Sequence, residues 1–197
     1  MPSGRTHDRI TLWSLPLVAG VAFWQSRNSN ITLLVAGGFL FGGLMFGPDL
    51  DIYSRQFQRW GFLRFLWLPY QKSLRHRAFL SHGPIIGTTL RVVYLLTILA
   101  ICALLFLLIS AQFGGKVSWQ GLGASLGRSL FTYYPEFLAL FIGLELGAMS
   151  HSLSDWTGSA YKRVQKQGVR GLLPSGKIKK RKVTRGQRVK KRRGTQR

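Results

Sequence analysis

The sequence predicts an all-α protein: a four-helix transmembrane bundle followed by a disordered basic C-terminal tail. Two observations carry that expectation. Of 197 residues, 46% are hydrophobic, yet 28 Lys+Arg against 6 Asp+Glu give a formal net charge of +22. A disordered basic chain is poor in apolar residues, so the two properties must occupy different stretches. They do: from Tyr161 to Arg197 there are 16 Lys+Arg and no acid. Residues 1–160 hold the other 12 basic residues, all 6 acids and nearly all the apolar mass. The single cysteine, Cys102, excludes an internal disulfide and a cysteine zinc site.

Four apolar runs supply the expected spans. Ile10–Trp24 has 15 residues, below the usual ~17–25 for a membrane helix. Ile31–Gly47 is a glycine-rich, uncharged run of 17, and Val92–Phe113 is an uncharged run of 22. Leu130–Met149 has 20 and contains Glu136 and Glu145. Arg5 and Arg9 ahead of the first run also suit a cleavable signal, but Phe23-Trp24-Gln25 offers no small-x-small cleavage site.

Lys and Arg set the orientation. The segment before the first run, the long second connection and the tail share one side and carry most of the basic residues. Both termini are therefore expected to be cytoplasmic. Gly38/Gly42, Gly43/Gly47 and Gly143/Gly147 have the four-residue spacing that lets helix backbones approach, or else reflect the general glycine content of membrane helices. Phe57–Tyr70, with Trp60, Phe62, Phe65, Trp67 and Tyr70 among arginines, is expected at the bilayer interface.

The scarce histidines and acids carry the chemistry. His7 and Asp8 precede the first run, Asp49 and Asp51 follow the second, His76 and His82 precede the third, and His151 and Asp155 close the fourth. All eight fall at helix ends assigned to the cytoplasmic side. Glu136 and Glu145 lie within the fourth run, where an acid at mid-helix costs ~2.5–3.5 kcal/mol. Glu145 is either a polar helix–helix contact or a catalytic residue.

Metal ligation fits these spacings. His151 and Asp155 are i,i+4 on a helix, about 40° apart around its axis, so both can face one ion. His76 and His82 are separated by five residues, and Asp49 and Asp51 follow Pro48, where an extended or turn geometry is expected to present one carboxylate inward and one outward. Imidazole and carboxylate without thiolate suit zinc first, with manganese or iron as alternatives. The ligand surplus allows one or two ions, or carboxylates that orient imidazoles. In the structural alternative Asp8 or Asp49 caps a helix and Asp51 pairs with Arg55 at i,i+4.

At Pro48-Asp49-Leu50-Asp51, His76-Arg77-Ala78-Phe79-Leu80-Ser81-His82 and His151-Ser152-Leu153-Ser154-Asp155 the sequence resembles predicted metal-binding membrane proteins similar to the membrane-bound metal-dependent hydrolase family. The resemblance covers roughly Pro2–Ser159. Its His76–His82 spacing is one residue longer than in the typical hydrolases and fits the metal-binding subgroup. It implies His7, His76, His82, His151 and Asp155 as metal ligands, and Asp49 or Asp51 as ligand or general base. Arg5, Arg75 and Arg77 flank the histidines, either as phosphate clamps or as positive-inside anchors. The substrate expected on this reading is a phosphoester of a lipid or other amphiphile. The alternatives are a structural metal without catalysis, or a membrane anchor whose tail binds anionic lipid or RNA through charge alone.

Overall fold

The structure, a computed structural model, describes residues 4–74, 79–115 and 118–168, and contains no strand among the described residues. In chain order the elements are α1 (Gly4–Ser26), α2 (Ser29–Leu44), a 3-10 turn (Pro48–Asp51), α3 (Arg55–Gln58), a second 3-10 turn (Gly61–Trp67), α4 (Leu68–Ser73), α5 (Phe79–His82), α6 (Ile86–Gln112), α7 (Trp119–Thr132) and α8 (Tyr134–Gln167). The chain divides into two compact units, Met1–Ser159 and Ala160–Arg197. The basic tail beyond residue 168, where disorder was expected, lies outside the described residues.

Three stretches, not the expected four, are long and apolar enough to cross a membrane: Ser29–Asp51, Ile86–Gln112 and Tyr134–Gln165. The run at Ile10–Trp24 lies inside α1, where Arg5, His7, Asp8 and Arg9 in the opening turns, then Ser14 and Pro16, dilute its hydropathy. α1 nevertheless packs along α2 as a helical hairpin. Arg27 at φ 49° makes the turn, and the Asn28 side chain caps α2 by accepting from the Asn30 and Ile31 N–H groups. The expected run at Leu130–Met149 is broken at Tyr133. Pro135 sits in the first turn of α8, where its missing N–H costs no intrahelical bond.

The glycines do mark a close helix contact. A Cβ on Gly38 would sit 2.6 Å from the Leu140 carbonyl oxygen, and one on Gly143 would collide with the Val35 carbonyl. Gly42 faces the Leu144 backbone, and Gly147 faces Phe39 and Gly43. α2 and α8 therefore meet backbone to backbone at Gly38, Gly42, Gly143 and Gly147, while the Cβ position of Gly43 meets Thr11 of α1.

The second connection folds into a cap rather than a loop. Its side chains satisfy the carbonyls that α2 leaves without intrahelical donors. Gln56 Nε2 donates to Gly43 O (2.9 Å), Arg59 Nη1 to Leu44 O (2.8 Å) and Trp60 Nε1 to Met45 O (3.0 Å). The aromatic segment expected at the bilayer interface is divided: Phe57, Trp67 and Tyr70 are buried with Phe46, Leu50 and Leu144, while Phe62 and Phe65 are exposed. Trp67 lies edge-on to Phe46, Trp60 and Tyr70 with centroids 5.1–5.6 Å apart. Such pairs add about 0.5–1.5 kcal/mol each beyond their area, which favours a core over the interface.

Gly143→Ala and Gly147→Ala should each destabilise the protein by about 1–3 kcal/mol through backbone overpacking. Gly37→Ala, with nothing within 4 Å of its Cβ position, should not. Thermal unfolding of the three variants in one detergent checks this.

Candidate metal centre

Each expected ligand that the structure describes arrives at the same end of the helices. His7 is on the second turn of α1, Asp49 and Asp51 on the 3-10 turn, His82 at the end of α5, and His151 and Asp155 one turn apart on α8. Ser54 fixes the 3-10 turn to the cap: its hydroxyl donates to Asp49 O (2.8 Å) and accepts the Phe57 N–H (3.2 Å). Asp8 ties α1 to that cap through Arg59 (2.7 and 3.0 Å) and Arg55 (3.2 Å). Arg55 thus reaches Asp8 instead of forming the i,i+4 pair with Asp51.

The nitrogen and oxygen atoms of His7, His151 and Asp155 converge, with one ligand atom from each lying within 4.8 Å of the others. The two imidazoles stack at a centroid distance of 4.0 Å. Around them is a void of about 30 Å³, lined in part by His7, Asp49, Gln56 and His151, which is room for one water-sized guest.

The protonation of His7 follows from its neighbours. The Ser154 hydroxyl donates to His151 O at 2.8 Å, so its oxygen is left to accept a proton from His7 Nδ1. That places the proton of the neutral ring on Nδ1 and a lone pair on Nε2. Nε2 faces Asp155 Oδ1 at 3.3 Å. A second proton on the ring would relieve the repulsion, but burial, and then the nearby His151, push the His7 pKa below its ordinary value of 6.5. A cation between this lone pair and the carboxylate would satisfy both. The spacing suits one, because a tetrahedron with bonds of ~2.0–2.1 Å has edges of roughly 3.3 Å. His151 is different: with its Nδ1 accepting from the Gln56 Nε2 amide, the proton of the neutral ring falls on Nε2, 3.1 Å from Asp49 Oδ2. Its Nδ1 lies 3.4 Å from the Gln56 amide. The residues present therefore fit a divalent ion.

Asp49 also connects to His82. Its Oδ1 is 3.8 Å from His82 Nε2, and Asp51 Oδ2 is 3.8 Å from His82 Nδ1. Both carboxylates thus turn toward the cluster, whereas an inward and an outward carboxylate were expected. A 3-10 turn does not alternate its faces as an extended strand does.

The structure does not bring Glu145 into the His7–His151–Asp155 group. Its Oε1 accepts the Ile85 N–H at 2.9 Å, tying α8 to the entry of α6. Glu136 sits in the first turn of α8, where the helix dipole favours an acid, rather than mid-span. Arg5 is exposed on the first turn of α1. His76, Arg75 and Arg77 lie outside the described residues. Sequence reasoning missed Ser154 and Gln56. Ser154 had a legible signal, since a serine three residues after a helical histidine can bond back to its carbonyl. Gln56 had none, because its contacts are 13 and 95 residues distant.

The model of a family described as "Uncharacterized metal-binding protein (DUF2227)" matches residues 2–165. The chain belongs to this family. The match takes in every described residue of the cluster, and the family's description names a metal and no reaction. An "Uncharacterized protein" of Aquifex aeolicus (strain VF5) is 44% identical over 59 residues, which is 29% of this chain and 41% of that relative. No solved structure matches. The similarity to membrane hydrolases expected from the motifs is not among these findings; metal binding is.

With its folded pKa below the unfolded value, His7 binds fewer protons folded than unfolded, so stability rises with pH. Metal-free protein should be most stable above pH 6.5 and lose melting temperature as pH falls below it. His7→Gln should flatten that dependence in thermal scans.

Proposed function

We propose that this protein is an integral membrane metalloprotein that hydrolyses a phosphoester of an amphiphile at the cytoplasmic face. Its divalent ion is held by His7, His151 and Asp155, with Asp49 beside them; zinc is the first choice, manganese or iron the alternatives. The observation that carries the metal reading is the His7 Nε2 lone pair directed at Asp155. A bound divalent ion supplies Lewis acidity at this position. The chain supplies the rest. Ser154 holds the tautomer of His7, and the Asp49 carboxylate pairs with His151 and His82 beside the ion. Asp51 and His82 orient Asp49 or hold a second ion. Arg5, with Arg75 and Arg77, supplies positive charge for a phosphate. The three membrane-length stretches support membrane association, and the basic character of the end that carries the cluster supports a cytoplasmic orientation for it; with α1 crossing beside α2 as a fourth pass, both termini lie on that side. We further propose that the tail attracts anionic lipid or RNA by charge.

A second reading has a specific observation behind it: the ligands come from α1 and α8, so an ion ties together the first and last helices of the unit. On that reading, metal-binding free energy is folding free energy and nothing turns over.

Elemental mass spectrometry on detergent-purified protein should find one or two equivalents of a transition metal, and a His7→Ala/His151→Ala double variant should lose them. Ser154→Ala should weaken metal affinity by about 10–100-fold, because the tautomer is no longer fixed. Phosphoester turnover by loaded wild type, absent in the double variant, would select hydrolysis. Chelation that lowers the melting temperature with no turnover would select the structural tie.

A further inference from the structure

A larger cavity of about 230 Å³ lies next to the cluster, and His82 belongs to the lining of this cavity and to the cluster. It is bounded by Pro48, the turn between α5 and α6, the first turns of α6 and the middle of α8. Two of its buried residues have unmet needs. Arg91 is 1% exposed, and its hydrogen-bond partners are neutral: Nη1 donates to Ser81 O and Nη2 to Thr88 Oγ1, both at 2.9 Å. Its Nε has no partner. Glu145 is 9% exposed; Oε1 takes the Ile85 N–H, and Oε2 is buried without a donor.

The carboxylates of Glu145 and Asp51 act on the buried guanidinium from nearby, but its Nε has no partner, and a phosphate matches its planar set of donors. The N-terminus of α6, which brings Thr88 to the cavity, adds positive potential. A carboxylate oxygen without a donor favours a ligand that brings one. The backbone beside it is strained: Ile85, β-branched, sits at φ 63° in a γ-turn closed by Ile86 N–H to Pro84 O (2.7 Å). Glu145 holds that turn at the cavity rim, and strain of this kind persists where the surroundings enforce it.

We infer that this cavity is a subsite for the headgroup of the amphiphile: Arg91 binds its phosphate, and Glu145 accepts a hydrogen bond from a neighbouring hydroxyl or ammonium. This deepens the substrate reading above and rests on it. The volume is below the ~300–1,000 Å³ of sites that enclose drug-sized molecules, so the cavity takes a headgroup and not the chains. Met149 and Leu153 line the cavity and are 44% and 60% exposed, giving the acyl chains an apolar exit.

Calorimetric titration of the full chain in maltoside micelles tests this with four probes: dihexanoyl phosphatidylethanolamine, dihexanoyl phosphatidylcholine, glycerol 3-phosphate and inorganic phosphate. The ethanolamine lipid should bind about tenfold more tightly than the choline lipid, whose phosphate is equivalent but which lacks a donor. Arg91→Lys should weaken that binding by about tenfold or more. Met149→Trp, which fills the mouth and leaves every polar group in place, should do the same while metal content stays at the wild-type level. Glycerol 3-phosphate binding as tightly as the lipid would support the site with a soluble phosphoester as its source. Equal binding of the two lipids, binding of inorganic phosphate alone, no binding, or binding unchanged in both variants would overturn it. Loss of metal from wild type with headgroup binding intact would instead remove only the metal reading.

Discussion

The geometry of the candidate metal centre depends on the contact between α2 and α8. Gly38, Gly42 and Gly43 lie against Gly143, Gly147 and the backbone between them, so closely that a methyl group on several of these glycines would strike a carbonyl oxygen or amide nitrogen. In a membrane helix pair, dispersion and lipid entropy replace the hydrophobic driving force, and such proximity is what makes them effective. His151 follows Gly147 by one turn, and the 3-10 turn with Asp49 begins at Pro48, after three residues of linker from the end of α2 at Leu44. Backbone contact therefore fixes the distance at which Asp49 meets His151.

The cap converts that proximity into a defined site. Gln56, Arg59 and Trp60 take the carbonyls at the end of α2, and Asp8 receives both Arg55 and Arg59 from the same segment. Three constraints meet at His7: its place on α1 is set by the Asp8 pairs, its tautomer by Ser154, and its charge state by burial. The outcome is electrostatically unfavourable for the protein alone and favourable with a cation present. The same logic applies at Arg91 and Glu145, where an unpartnered Nε on one side and a carboxylate oxygen without a donor on the other describe a ligand by what it must bring. Both sites share His82, which makes a headgroup beside the metal centre a geometrically coherent arrangement.

By itself the sequence determined the helical class, the separation of an apolar body from a basic tail, and the identity of the cluster residues His7, Asp49, Asp51, His82, His151 and Asp155. Those features are written in one-dimensional quantities: run length, charge placement, and rare polar residues recurring at one side of successive spans. Only the tertiary structure decided which of them form a compact ligand group. It joined His7 to Asp155 and His151, and placed Glu145 against the Ile85 amide. It also reduced four membrane-length runs to three, drew Trp67 into the core, and found Gln56 and Ser154 as supports. The reason is that these outcomes depend on contacts between residues tens to more than a hundred positions apart. Hydropathy and spacing describe neighbours along the chain, and a hydrogen bond from Gln56 to Gly43 or a lone pair aimed from α1 at α8 exists only once the helices have packed.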